Sequence, residues 1–416
     1  MTETLQSPII DIKDLSFEQG AHLLIKKSLS NLPVGGKLGI SGRAPELAIH
    51  LRSWCRAQGH EVLFEKDRLD SDNLNQTANS PFIAWIVRGK ASTGRWKDAQ
   101  RAGAPDFREP NAIAEHPSAS WGLAARGAKI EAGGPEFYFG LNIKANVWAE
   151  NVPRLYAQAA AAQWNPNTAI DWETPFELPS EIETAVVQIM TYLVENETAA
   201  LLVPARFLAQ IHPHFREVMQ LLAIQVADEA RHIEVFTRRA SLRGHELGLS
   251  TVGGQTSLKT LFDEPDFTLS SFLLSVLGEG TFLNLLWFLE EHAPDPITRR
   301  VAQLAAQDEA RHVAFGIGHL QYQISLDPTI RERLAAAVHR RFDALAETTG
   351  LNEEVFDSLV ILAAGKWTPE AISEGFGKVQ QLQLEMNQSR QSRLQKLGFT
   401  TEEAENLSSL HTRNFM

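Results

Sequence analysis

The 416-residue sequence predicts an α+β protein that is mainly α: a four-helix bundle with extra helices, preceded by a small α/β two-layer sandwich. Three observations carry that expectation. The pentapeptide Asp-Glu-Ala-Arg-His occurs twice, at Asp228–His232 and at Asp308–His312. About thirty residues before each copy, one glutamate stands in the middle of an apolar helical stripe. The first ninety or so residues have a different rhythm, in which short strand-like runs alternate with helical ones.

In that N-terminal part, Ile9–Leu15 alternates like a strand and Gly20–Leu32 has helical spacing. Lys37–Ser41 is a short strand after a Pro-Val-Gly-Gly turn, and Pro45–Gln58 is a helix that stops at Gly59. Strands follow at Glu61–Glu65 and Phe82–Val87. This β-α-β-α-β-β order suits a two-layer sandwich over residues 1–90. The run PVGGKLGISGRAPELAIHLRSWCRAQGHEVLFEKD resembles the second half of TusA-like sulfur-carrier domains. Those carriers use a Cys in the loop after the first strand, whereas here that loop reads Ser16-Phe17-Glu18-Gln19-Gly20. Cys55, inside the second helix, reads as a buried structural thiol. Docking or homodimer formation, not sulfur transfer, is therefore expected of this domain.

Residues 91–151 read as a connector, rich in Gly, Ala and Pro, with Trp96 and Trp121 packed on a domain surface. Residues 152–416 form the helical domain. Pro153–Trp164 opens it as a helix laid against the bundle, and Trp164, Trp172 and Tyr156 are expected to pack rather than to line a substrate entrance. In Glu181–Phe207 the residues Val186, Met190, Leu193, Ala200, Leu201 and Pro204 form one stripe, with Glu197 at its centre and Glu195 on the opposite face. Phe272, Val276, Leu283 and Leu286 form a second stripe, centred on Glu279. A carboxylate on an apolar stripe is costly unless a cation or a proton neutralises it. Ser241–Phe267, with four glycines, is the long crossover between the two hairpins. Helices are expected again at Ile330–Thr348, Glu353–Ala363, Pro369–Leu397 and Glu402–Leu410.

Within each pentapeptide a Glu and a His stand three positions apart and project from one helix face. Glu197, Glu229, His232, Glu279, Glu309 and His312 together offer four carboxylates and two imidazoles. Six donors of this oxygen and nitrogen mix suit two iron or manganese ions better than zinc or copper. At these residues the chain resembles the ferritin-like di-iron carboxylate superfamily, which includes soluble desaturases, multicomponent monooxygenases, arylamine N-oxygenases and ferritins. The resemblance covers roughly residues 175–324. It implies that Glu229 and Glu309 bridge or flank two irons, that His232 and His312 ligate one each, and that Asp228 and Asp308 orient the opposite histidine. Arg231 and Arg311 would belong to the polar network around the site. The third histidine of the N-oxygenases has no counterpart, since Ala305 stands there and Gln225 stands at the matching place of the first half. His319 is expected in the core.

Small residues, Ala302, Ala305 and Gly316, share the face of Glu309 and His312, and Gly278 and Gly280 flank Glu279. They either open room for substrate or let helices pack closely. The net charge of −12 argues against nucleic acid and anionic membrane as partners. The lone Cys55 excludes a disulfide framework and an internal iron–sulfur cluster, so electrons must come from an external donor, by family resemblance a ferredoxin or a flavin reductase. No apolar run is read as long enough to span a membrane, and MTETLQSPIIDIKD lacks the features of a signal peptide, so a cytoplasmic location is expected. The leading functional expectation is an O2-activating di-iron (or Mn/Fe) oxidase or oxygenase acting on a small organic or carrier-bound substrate. The alternative is a ferritin-type iron-binding protein, and a purely structural duplication of the bundle comes third. Hydroxylation, desaturation and N-oxygenation all stay open at this point.

Overall fold

The computed structural model describes residues 7–64, 82–91, 95–346 and 353–411. Glu65 and Thr348, expected as the ends of a strand and a helix, lie outside the described residues, as does the N-terminal MTETLQ. The chain divides into two compact units, one of residues 1–101 and 129–135, the other of residues 102–128 and 136–416. The stretch read as a connector is thus shared between them. Its Gln100–Arg101 (β5) and Lys129–Ile130 (β6) pair as a short antiparallel ribbon, while residues 102–128 belong to the helical unit.

In the smaller unit β1 (Ile9–Asp11), α1 (Ala21–Ser30), β2 (Lys37–Gly42), α2 (Leu47–Ala57), β3 (Glu61–Phe64) and β4 (Phe82–Val87) follow in the expected order. The sheet order is β1-β2-β4-β3, with β1 parallel to β2 and β4 antiparallel to both its neighbours. Ala21, Ile25 and Leu29 of α1, and Leu47, Leu51 and Cys55 of α2, recur every fourth residue and bury one stripe of each helix. They pack with Leu38, Ile40, Ala84 and Ile86 of the sheet. Burial pushes the Cys55 thiol up to about 12, so it is inert at neutral pH. The first strand ends four residues sooner than its alternation predicts. The Asp11 carboxylate accepts the Lys13 N–H at 2.9 Å, and Lys13 turns into the left-handed region at φ 53°.

The larger unit is mainly helical from Val152 onward, and its residues 102–128 and 136–151 are irregular apart from short 3-10 turns. Its elements are α3 (Val152–Ala161), α4 (Pro166–Ala169), α5 (Ser180–Leu208), α6 (Arg216–Ser241), α7 (Val252–Phe262) and α8 (Phe267–Ser271). A π-helical stretch, Phe272–Glu279, runs from α8 into α9 (Gly280–His292). Then come α10 (Pro296–Leu326), α11 (Ile330–Leu345), α12 (Glu353–Ala364), α13 (Pro369–Lys396) and α14 (Thr401–His411). The hairpin α5/α6 and the hairpin of α8–α9 with α10 are the two halves foreseen from the duplicated motif. The crossover between them contains a helix, α7, that its glycines concealed. Thr251 Oγ1 caps it by accepting the Gly254 N–H at 2.9 Å, and the buried Gly253 and Gly254 occupy its first turn.

Phe267–His292 corrects the reading that no run is apolar enough to span a membrane. These 26 residues have a mean hydropathy of 1.6 over their apolar window, but 89% of that window is buried inside the protein. The stretch is apolar all round because it is the central rod of the bundle. The small residues of α10 serve close packing: a Cβ at Gly316 would lie 2.6 Å from Ser275 Cβ on the π-helical stretch. His319 is a core histidine whose Nδ1 lies 3.0 Å from the Trp148 carbonyl.

One buried ion cluster ties three bundle helices together. Arg239 of α6, fully buried, donates to both oxygens of Glu183 on α5 (2.7 and 3.0 Å) and to Asp295, the N-cap of α10 (2.8 Å). Its Nε donates to Thr298 Oγ1 at 2.8 Å. Removing the cation would strand two carboxylates in the dry interior. Arg239→Ala is therefore expected to lower the unfolding free energy by about 3–5 kcal/mol, measured by urea denaturation. A loss under about 1 kcal/mol would show that water reaches the cluster.

Candidate metal centre

All six residues singled out, Glu197 and Glu279 by helical phase and the other four by the repeated Glu-x-x-His motif, converge inside the bundle. Glu197 comes from α5, Glu229 and His232 from α6, Glu279 from the end of the π-helical stretch, and Glu309 and His312 from α10. None is more than 5% exposed. They form two groups, Glu197/Glu229/His232/Glu309 and Glu229/Glu279/Glu309/His312, and the ligand atoms of each group lie within 4.8 Å of one another. Glu229 and Glu309 belong to both groups. Two shared carboxylates, with one Glu and one His private to each side, is the arrangement that lets two cations sit side by side.

The imidazoles have distinct roles for their two nitrogens. His232 Nδ1 faces Glu197 (3.4 Å), Glu229 (3.2 Å) and Glu309 (3.3 Å), while its Nε2 lies 3.2 Å from Asp308. His312 Nδ1 faces Glu229 (3.1 Å) and Glu309 (3.4 Å), while its Nε2 lies 3.3 Å from Asp228. Each aspartate thus takes the outer N–H of the histidine on the opposite helix. That orients each ring with Nδ1 facing inward, the nitrogen a metal ion would take once its proton has left. Asp228 and Asp308 are in turn held by Arg231 and Arg311, respectively, and Arg231 also reaches Asp308 at 3.2 Å.

Three neighbours were not assigned to this network from the sequence. Gln225 Nε2 donates to Glu279 Oε1 at 2.9 Å; it stands one helical turn before Glu229, so its phase alone placed it on the inner face. Gln163 Nε2 donates to Asp228 at 2.9 Å and accepts from Arg231 at 2.8 Å. Trp164, expected only to pack, donates its indole N–H to Asp308 at 2.7 Å and stacks on His232 with 6.5 Å between ring centroids. Both lie just beyond α3, which ends at Ala161, three residues short of the Pro153–Trp164 helix expected from the sequence. Trp172 does pack in the core, with its indole N–H on the Pro166 carbonyl at 2.8 Å. Glu195 faces away from the centre and lines a groove on the outside of α5.

Without a cation the charges are poorly matched. Burial, reinforced by Glu229, holds the Glu197 carboxyl well above its usual range. Burial, reinforced by Glu309, pushes Glu279 up to about 8. For Glu309 burial acts upward too, but His312 and His232 outweigh it and hold the group at about 2. Burial would lower both histidines, yet Glu197 beside His232 and Glu229 beside His312 carry them well above the ordinary imidazole value. Buried polar atoms normally find partners. Here Glu197 Oε1, Glu229 Oε1, Glu279 Oε2, both Glu309 oxygens and His312 Nδ1 have no hydrogen bond. These orphaned atoms are the inward ones, so the residues present fit a pair of metal ions.

No family model matches the chain, and no curated protein does. Solved structures similar in shape include an R2-like ligand-binding oxidase mutant with an aerobically reconstituted Mn/Fe cofactor, at 18% identity and a TM-score of 0.41, covering 62% of this chain and 94% of the other. The R2-like ligand-binding oxidase from Sulfolobus acidocaldarius is similar at 17% identity and a TM-score of 0.42, with 62% and 94% covered.

Two outcomes follow from this geometry. Glu279, raised to about 8, is mostly protonated at pH 7 in the metal-free chain, and a metal ion must displace that proton. Metal affinity should therefore rise with pH through about 8, with the raised Glu197, His232 and His312 acting in the same direction, and loading at pH 7 should release protons, as calorimetry in two buffers of different ionisation enthalpy would show. Loading without proton release would contradict it. Second, Glu197→Ala should remove one metal position while Glu195→Ala leaves loading unchanged, checked by metal analysis of the purified variants. Reversed results would mean that the α5 face is misassigned.

Proposed function

We propose that this protein is an oxidoreductase holding two iron ions, or one manganese and one iron, and using O2 to oxidise an organic substrate. The observation that carries the reading is the pair of donor groups sharing Glu229 and Glu309, with their inward oxygens left without hydrogen bonds in a dry interior. Glu197 and His232 would hold one ion, Glu279 and His312 the other, and Glu229 and Glu309 would serve both. Carboxylates and imidazoles favour iron and manganese, and such a pair supplies the redox chemistry that O2 reduction needs.

The chain's own residues do the rest. Asp228 and Asp308 keep the histidines oriented with Nδ1 inward. Gln225 occupies one oxygen of Glu279 and leaves the other directed inward. Leu261, Leu273, Leu274 and Phe282 wall the side bearing Glu197, Glu279 and Glu309, excluding bulk water. The lone cysteine cannot hold an iron–sulfur relay within the chain, so an external reductase or ferredoxin would deliver electrons. The smaller unit, which lacks the carrier cysteine in the Ser16–Gly20 loop, is proposed as a docking or dimerisation module.

Aerobic iron uptake separates this reading from ferritin-type storage. With Fe(II) in excess, uptake should level near two ions per chain, matching the two donor groups. Oxygen consumption should then depend on an added reductant. Continued uptake to tens of irons or more per chain, without reductant-dependent turnover, would replace the oxidase with a storage protein.

A further inference from the structure

Both helices of the smaller unit, α1 and α2, lie on one face of its sheet, packed on Leu38, Ile40, Ala84 and Ile86. The alternate residues of β2 and β4 point to the opposite face. The cross-strand register sets these in rows. Ile9, Gly39, Trp85 and Leu63 form one row through all four strands, from β1 across β2 and β4 to β3. Lys37, Val87 and Glu61 form the row beside it, and Ile83 stands next to Ser41 on the other side.

This second face is apolar where a solvated one would be polar. Ile9 is 56% exposed and Leu63 41%. Neither they nor Ile83, Trp85 and Val87 belong to a hydrophobic cluster among the described residues. The Trp85 ring leans over Gly39, where a Cβ would lie 3.1 Å from its Cζ3 and 2.7 Å from Ile9 Cγ1. The glycine lets indole and isoleucine close over the strand into one flat platform. Residues 83–87 of β4 read Ile-Ala-Trp-Ile-Val, apolar on both sides, which is the pattern of a strand covered on both faces. Helices α1 and α2 supply one cover only.

We propose that the second cover is the same face of another copy of this chain, the two sheets stacking about a two-fold axis. The proposal rests on the reading of this unit as a docking or dimerisation module, and names its surface and its partner. Charge at one end of the face selects a second copy. Lys37 on β2 and Glu61 on β3 flank Val87 in one row, and both are exposed. An axis along the strands, midway between β2 and β4, lays β2 over the partner's β4 and β1 over the partner's β3. Ile9 then meets the partner's Leu63, and Trp85 meets the flat ground over the partner's Gly39. Lys37 comes beside the partner's Glu61, and the symmetry makes that pair twice. Sheets stack about 10 Å apart, a gap that these two long side chains bridge from opposite sides. Four strands about 4.8 Å apart and about 20 Å long offer about 400 Å² per copy. That is the small end for a specific interface, so the dimer dissociates on dilution.

The test is sedimentation velocity of the full chain over a concentration series. The wild-type chain should pass from monomer to dimer as concentration rises. Lys37→Glu and Glu61→Lys each bring like charges together twice, and each should raise the dissociation constant roughly tenfold or more. The double variant restores both pairs with their signs exchanged and should return to the wild-type constant. A mixture of the two single variants should also pair, because each then supplies the charge the other lacks; a folding defect could not imitate either recovery. A wild-type chain that stays monomeric overturns the second copy as occupant and leaves the unit to dock a different protein. A dimer indifferent to both single reversals overturns this face and takes dimerisation away from the smaller unit as well. Weakening in the single variants without recovery in the double variant overturns the pairing of Lys37 with Glu61, and with it the proposed axis.

Discussion

Four glutamates and two histidines share a volume from which the bundle has removed water, and that concentration of charge sets the terms for everything around it. Outside the volume the balance is local: Asp228 and Asp308 meet Arg231 and Arg311. Inside it, the two imidazoles can offset only half of the four carboxylates, and only when protonated. Uncompensated buried charge costs several kcal/mol per ion, on the scale of a whole domain's net stability. The helices must therefore be held together by other means until the charge is met. The Arg239–Glu183–Asp295 cluster and the buried Arg126–Glu217 pair, with a 2.6 Å bond, are two such clamps outside the centre.

The π-helical stretch before Glu279 is a second consequence. Widening the helix frees carbonyls from their usual i→i+4 partners, and a freed carbonyl in a dry core needs a donor. Arg393 Nε fills that need at Val276, at 2.7 Å. It can do so because residue 280 is glycine: a Cβ there would lie 2.4 Å from Nε. The stretch that carries Glu279 is thus braced by a residue more than a hundred places later in the chain.

The larger unit was legible where its signals were periodic. Helical phase placed Glu197 inward and Glu195 outward, and the Glu-x-x-His spacing brought four more side chains to the same point. The order of the small sheet's elements could also be read, because Leu38 and Ile40 alternate and α1 and α2 carry fourfold apolar spacing. What escaped was carried by single residues or by distant contacts. The helix α7 was hidden by Gly253 and Gly254, whose low propensity is outweighed by a Thr251 cap and burial. Arg393 satisfies a carbonyl of the π-helical stretch from far along the chain, and no local pattern announces it. Gln163 and Trp164 reach the aspartates from just past Ala161, where α3 stops short of the helix expected to run to Trp164.

Trp164 lends the centre an optical character. Its indole donates to Asp308, which in turn holds His232, and its ring lies nearly parallel to that imidazole, at 18°. Indole emission responds to nearby charge and to paramagnetic ions. Of the nine tryptophans in the chain, this one is coupled through a single carboxylate to an inward-facing histidine. The protein thereby carries an intrinsic fluorophore within one hydrogen-bond relay of its charge cluster, able to report in real time, without a label, what occupies the bundle interior.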